Sequence, residues 1–343
     1  MTDTKSEADR GRLLWPDLAK SACIILVVVW HVVSKSLIDL QPGAAYNFWN
    51  TVCLVLQPVR IPLFFTISGY FVATKLQQPW SQCWRRPAGN YWTYVVWTAI
   101  QAVVFGIFPL PTSIISSPRD AALALVLGYT AVWYLFALAL YFIGAKLFNR
   151  ARLAALILAL GFSIVSYVDV LPDIGNSDSI IRNAFFFLVG AYAPRQRAAA
   201  VMSGGRWVPA ILLWAAFLPA SILAVITRFV GNPAIGLPLS ALGVAAGLML
   251  ASSIAATPGA IWLARVVGER TVSIYVLHLP LLAVAMAAIS TIPELIAWGY
   301  PVVASAALVA VSVVVHPYIQ RWAPWLFALP TRNSSRPDSS SGR

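Results

Sequence analysis

Residues 16–31 read PDLAKSACIILVVVWH, and this run decides the fold. From Ala22 to Trp30 it is wholly apolar. No cleavage motif follows, so the run is expected to stay in a membrane as an anchor. Runs of the same kind recur along all 343 residues, which are 59% hydrophobic and only 10% charged, against roughly 25% charged in ordinary soluble domains. A mean hydropathy of +0.77 spread over the whole length excludes a soluble globular protein. A transmembrane barrel is excluded as well, because its strands alternate apolar with polar residues. The fold class is therefore all-α, a polytopic integral membrane protein.

A spanning helix needs roughly 20 apolar residues. On that measure ten spans are expected, at 17–38, 46–76, 91–108, 122–148, 153–170, 180–193, 207–226, 235–256, 266–292 and 297–318. The second is expected to break at Pro58 or Pro62, and the fourth to begin with a surface helix before Trp133. With both termini cytoplasmic, 18 Lys and Arg fall on the inner side against 4 outside (Lys35, Arg119, Arg182, Arg228), while Lys20 and Arg60 stay inside the layer. That asymmetry supports the ten-span arrangement. It also accounts for the net charge of +12, so no nucleic-acid partner is expected. The chain divides into a cytoplasmic segment 1–16, a membrane domain 17–320 and a cytoplasmic tail 321–343, whose Ser-rich part from Thr331 is expected to be disordered.

Chemistry must then sit in the membrane body, where an ionisable side chain costs roughly 2.5–3.5 kcal/mol and is by default a functional residue. Asp17, Lys20 and His31 share one helix face: Lys20 and His31 lie ~16 Å apart along the axis and within about 20° of each other. Asp17 can pair with Lys20. The stripe ends in an imidazole able to take a proton from a hydroxyl. The bland alternatives are that Lys20 snorkels to headgroups and His31 satisfies a backbone carbonyl. In PVRIPLFFTISGYF, residues 58–71, Arg60 lies between two prolines that loosen the helix, which points to a cavity. Ser68 and Gly69 serve either ligand approach or close helix packing. In GERTVSIYVLHLPLL, residues 268–282, Tyr275 and His278 share a face. Tyr275 is a candidate to orient a substrate or His31. His278 reads either as a second proton carrier or orienting group, or as a prop for the turn loosened by Pro280. His316 reads as structural. Cys23, Cys53 and Cys83 are scattered and odd in number, so they read as packing residues. No HExxH, paired-Cys or Walker-type motif occurs, so neither a metal nor nucleotide hydrolysis is expected.

These pieces together resemble the membrane acyltransferase-3 family, ten-span enzymes that acylate sugars, glycans and lipids. The likeness is carried by Asp17, Lys20 and His31, by RIPLFFTISGYF from Arg60, WYLFALALYF from Trp133, FFFLVGAY from Phe185 and SIYVLHLPLL from Ser273, in the family's order. The resemblance implies transfer of a short, acetyl-like group from cytoplasmic acyl-CoA to a hydroxyl, occasionally an amine, of a cell-envelope carbohydrate or lipid. It implies a bacterial plasma-membrane location, with His31 as the catalytic histidine and Lys20 its companion. Family members often carry two arginines three apart after the second span, whereas Arg85 and Arg86 here are adjacent and followed by Pro87.

The mechanism expected from both readings has Lys75, Arg85, Arg86 and Lys20 meeting the coenzyme A phosphates. His31 acts as general base, and Arg60 or Tyr275 stabilises the oxyanion. Asp17, Lys20, Ser68 and His278 line the substrate path. Direct transfer is preferred to a covalent intermediate on Ser68. Membrane lipids and a second copy of the chain are the remaining expected partners. The rival reading from another class is a proton-coupled transporter, which also uses broken helices and ionisable residues at mid-membrane. An inactive family member serving as a scaffold is a third.

Overall fold

The computed structural model describes residues 13–110, 115, 117–168, 176–202 and 206–330, and among them every regular element is helical. Lys5, Arg10 and Arg12, parts of the two outer loops (111–114, 116 and 169–175) and the tail 331–343 with its expected disorder lie outside the described residues.

Local chemistry sets the helix ends. α1 spans Trp15–Val32 with Pro16 in its first turn, where a missing N–H costs nothing. It runs on through a π-helical turn at Val33–Leu37, directly after His31. Such turns insert a residue into the helical ladder and recur at functional sites. α2 (Ala44–Val55) and α3 (Gln57–Val72) form one apolar stretch bent by 43°. The break falls just ahead of Pro58, whose ring cannot continue the α2 ladder. α4 spans Arg85–Ile107. A short helix α5 (Pro118–Leu127) does precede α6 (Trp133–Leu147): Ser117 Oγ accepts from the Asp120 amide at its start, and Gly128 ends it at φ 70°, a left-handed cap that favours glycine. α7 (Arg152–Val165), α8 (Ser177–Tyr192), α9 (Trp207–Ile226) and α10 (Pro233–Ile254) follow, the last capped by Asn232 Oδ1 on the Ala234 amide at 2.9 Å. α11 (Pro258–Val266), α12 (Thr271–Met286) and α13 (Tyr300–Trp322) complete the set of longer helices.

α1 is the axis of the structure and packs on α3, α10, α11, α12 and α13. α12 is buried along almost its whole length, as a helix that is apolar all round should be. The rim is the reverse. On α7 and α9, Leu153, Ile157, Ile211, Leu212 and Leu223 are each 60% exposed or more, a girdle of large aliphatic side chains that water would not tolerate and lipid would.

Among the described residues five helices are long and apolar enough to cross a membrane (Trp15–Leu40, Trp207–Ile226, Pro233–Ile254, Pro258–Met286 and Tyr300–Trp322), and the bent α2–α3 pair, counted as one span, makes a sixth. The chain is therefore an all-α, multi-pass membrane protein. α6 and α7 are apolar but shorter. Neither α4 nor α8, drawn from sequence as the third and sixth spans, reaches that measure. α4 is diluted by Asn90, Gln101 and its Thr, Tyr and Trp residues, and α8 is only 16 residues long and carries Asp178, Arg182 and Asn183.

The tail boundary also moves. Residues 321–330, assigned to the tail by composition, stay with the body: α13 runs to Trp322, and a 3₁₀ turn at Pro324–Leu326 offers carbonyls to Trp92 and Trp97 of α4, both at 2.8 Å. Cys23, Cys53 and Cys83 are buried and unpaired, as packing residues should be.

Candidate active site

Two cavities lie one above the other along α1. The larger, about 320 Å³, is lined by Trp30 and His31 of α1, Arg60 and Phe64 of α3, Trp133 and Tyr134 of α6, Arg182 and Asn183 of α8, Ser240 of α10 and Tyr275 of α12, among others. The smaller, about 140 Å³, is lined by Lys20, Ser68, Arg86, Asn90 and Thr271 among others. Phe64, Tyr134 and Tyr275 belong to both and form the wall between them. Phe64 and Tyr134 stack at 4.6 Å with 17° between planes, and Tyr275 meets Tyr134 edge-on at 5.6 Å. The stripe on α1 thus has its amine in one chamber and its imidazole in the other.

His31 is held by two neighbours. Its Nδ1 lies 2.9 Å from the Val27 carbonyl oxygen and 3.2 Å from His278 Nε2, while His278 Nδ1 lies 3.0 Å from the Ile274 carbonyl oxygen. A carbonyl oxygen only accepts, so in a neutral pair each Nδ1 carries the proton. His278 Nε2 then accepts from His31 Nδ1–H, and the lone pair of the dyad is left on His31 Nε2. The arrangement fixes the tautomer a general base needs. His278 is fully buried and lines neither cavity, so the structure does not bring it to the expected substrate path but sets it behind His31, in contact with that ring.

Arg60 is 6% exposed, its guanidinium sits 5.1 Å from the Trp30 ring, and its Nε has no hydrogen-bond partner. Tyr275 is placed otherwise than expected. Its hydroxyl donates to the Ala131 carbonyl at 3.0 Å and accepts from the Tyr134 amide at 3.2 Å, which leaves no donor for an oxyanion. It braces the loop ahead of α6. Ser68 is bonded to the Tyr134 hydroxyl at 2.6 Å and has no basic partner, so nothing activates it as a nucleophile.

At the other end, Lys20 Nζ lies 2.9 Å from Asp17 Oδ1 and 4.5 Å from the Phe71 ring centre. Of the three side chains assigned to the coenzyme, only Arg86 reaches the small cavity. Arg85 turns away to the Pro330 carbonyl and the Trp84 ring, and Lys75 lines neither chamber. The adjacent pair fails for a geometric reason: successive residues on a helix point about 100° apart. His316 is bonded to Ser273 Oγ at 2.5 Å and stacked edge-on with Phe327, a structural position.

Residues not singled out from sequence complete the larger chamber. Arg182 was counted with the outer loops, yet it sits on α8 facing inward, its guanidinium bonded to the Ser166 carbonyl at 3.1 Å and 3.9 Å from the Tyr167 ring. Asn183 is 5% exposed with Oδ1 unpaired. Trp30, Trp133 and Tyr167 supply aromatic faces. The available signal was a pair of polar residues, Arg182–Asn183, just ahead of the apolar run FFFLVGAY.

The family model described as an acyltransferase domain, of the acyltransferase-3 type, matches residues 13–316. An inner membrane protein of Escherichia coli (strain K12), YcfT, is 27% identical over 291 residues, covering 77% of this chain and 78% of its own. No solved structure matches the chain.

Proposed function

The chain belongs to the acyltransferase-3 family, and from that premise we propose that it moves a short, acetyl-like group from acyl-CoA to a hydroxyl of a cell-envelope sugar, glycan or lipid. Its setting in this reading is a bacterial inner membrane, crossed ten times with both termini cytoplasmic. The observation that carries it is the His31 dyad, in which Nδ1 is committed to Val27 and His278 while the ring lines a chamber that also holds Arg60, whose Nε has no hydrogen-bond partner.

His31 Nε2 takes the proton of the acceptor hydroxyl as its oxygen attacks the thioester carbonyl. The C–O bond forms, the carbonyl electrons move onto oxygen, and the Arg60 guanidinium stabilises that oxyanion. Collapse breaks the C–S bond, and the departing thiolate takes the proton from His31. No serine or cysteine intervenes, consistent with the unactivated setting of Ser68.

Coenzyme phosphates meet Lys20 and Arg86 at the small cavity, on the side that charge asymmetry assigns to the cytoplasm. The pantetheine arm reaches His31 only past the Phe64–Tyr134–Tyr275 wall, so Tyr134, tethered by Ser68, turns aside when the thioester arrives.

Release of free thiol from acetyl-CoA by purified protein with envelope glycans, and an acyl mass shift on the acceptor, test the proposal. A protein that releases none with any envelope fraction is not an acyltransferase. Lys20→Ala is expected to raise the KM for acetyl-CoA on the order of tenfold, the loss of one charge-assisted contact, with kcat little changed. An effect confined to the acceptor's KM would place the coenzyme at the wrong end. His278→Phe, which leaves the Val27 carbonyl as the remaining acceptor of His31 Nδ1–H and frees one side of the ring, is expected to lower kcat about tenfold at unchanged KM, a loss of roughly 1.4 kcal/mol. His278→Gln, whose amide oxygen can accept in its place, recovers most of it. Equal losses in both variants would mean that His278 serves packing alone.

A further inference from the structure

The larger chamber is charged in one sense. Arg60 and Arg182 both line it, no Asp or Glu does, and among the described residues neither guanidinium has an ion-pair partner. One transient oxyanion occupies Arg60. Arg182 is a second cation that meets no anion among the described residues, in surroundings where an uncompensated charge is costly. It is also held in place, by the Ser166 carbonyl and by the Tyr167 ring. Beside it on α8, the buried Asn183 uses its amide N–H on the Ser179 carbonyl at 2.8 Å and leaves Oδ1 unpaired, an acceptor that only a donor such as a hydroxyl can satisfy. The aromatic faces of Trp30, Trp133 and Tyr167 provide apolar walls, the usual complement to a few fixed polar groups in a ligand site.

Building on the acyl-transfer reading, we infer that the acceptor is an acidic sugar: a polyol that carries a carboxylate or phosphate on Arg182 and a hydroxyl on Asn183 Oδ1, with another hydroxyl presented to His31. A guanidinium recognises either anion by paired N–H donors, so the chemistry is shared between a uronic acid and a phosphorylated sugar.

The test is a binding measurement on the purified full chain without acyl-CoA, read by isothermal titration calorimetry. Three probes are compared: methyl glucoside, methyl glucuronide and phosphorylated methyl glucoside. A charged probe is expected to bind at least about tenfold tighter than the neutral one, and whichever charged probe leads identifies the anion. Arg182→Gln should reduce that preference to about twofold or less, and a thermal midpoint near that of the native protein shows that the variant is folded. Asn183→Leu should weaken all three probes together. Equal affinity for neutral and charged sugars, an unchanged preference in Arg182→Gln, or no saturable signal with either charged probe overturns the inference. Because no thioester is present, the result is independent of catalysis. Charge preference without acetyl-CoA turnover would remove the enzymatic reading and keep this site, and turnover restricted to neutral acceptors would do the opposite.

Discussion

Purified His31→Ala protein is expected to consume acetyl-CoA with acceptor at about one hundredth to one ten-thousandth of the native rate, the range a positioned general base supplies. The loss should sit near the severe end, because the neighbouring imidazole, His278, is fully buried behind the vacated position and lines neither chamber. Among the described residues that line the larger chamber there is no Lys, Asp or Glu, a guanidinium offers donors and no acceptor, and Tyr275 is engaged with the Ala131 carbonyl. The KM for acetyl-CoA should stay near native, since Lys20 and Arg86 lie in the other chamber. Removing the ring also leaves the buried His278 Nε2 without its donor, which costs about 1–3 kcal/mol of stability. His31→Gln separates the two effects. Its amide can still donate to His278, so it should fold like the native chain yet remain as inactive as the alanine variant. Native turnover by either variant would remove His31 from the chemistry.

Much of the site was legible because the bilayer makes polarity informative. Lys20, His31 and Arg60 stand out against apolar neighbours, and helical geometry alone aligns the first two. Three kinds of information were not in the local pattern. The His31–His278 bond joins residues 247 positions apart, and no periodicity reports such a meeting. Tyr134 lies within a run where an aromatic residue reads as ordinary filling, although its ring divides the chambers. Arg182 was hidden by the very rule that set the topology, because a cation near a span end counts there as a loop charge whether it faces water or a cavity. Lys75 and Arg85 show the converse, since positive charge near the expected coenzyme entrance does not by itself make a contact: Arg85 turns to the Pro330 carbonyl and the Trp84 ring, and Lys75 lines neither chamber.

Gly190→Ala is expected to cost about 3 kcal/mol or more, and to lower the thermal midpoint of the solubilised protein by about 4 °C or more. Ser68–Gly69 left packing and ligand approach open, and the structure divides them: Ser68 holds Tyr134, whereas Gly69 is a packing residue. α3 and α8 cross with backbone against backbone. A Cβ on Gly190 would stand 1.9 Å from the Thr66 carbonyl oxygen, and one on Gly69 would stand 2.0 Å from that of Phe187. Carbonyl oxygens in a helix cannot swing aside like a side chain, so the helices would have to part by about an ångström or more. Against this, alanine gains only about 1 kcal/mol in helix propensity over glycine. Overpacking therefore wins at Gly190. At Gly144 and Gly161, where an added Cβ meets nothing within 4 Å, the same substitution should be neutral or slightly stabilising. The crossing also couples stability to chemistry, because α3 carries Arg60 and α8 carries Arg182 and Asn183 on facing walls of one chamber. Any Gly190→Ala protein that survives should show a raised acceptor KM before a raised acetyl-CoA KM. A native midpoint for Gly190→Ala would mean that α3 and α8 do not meet as closely as this packing requires.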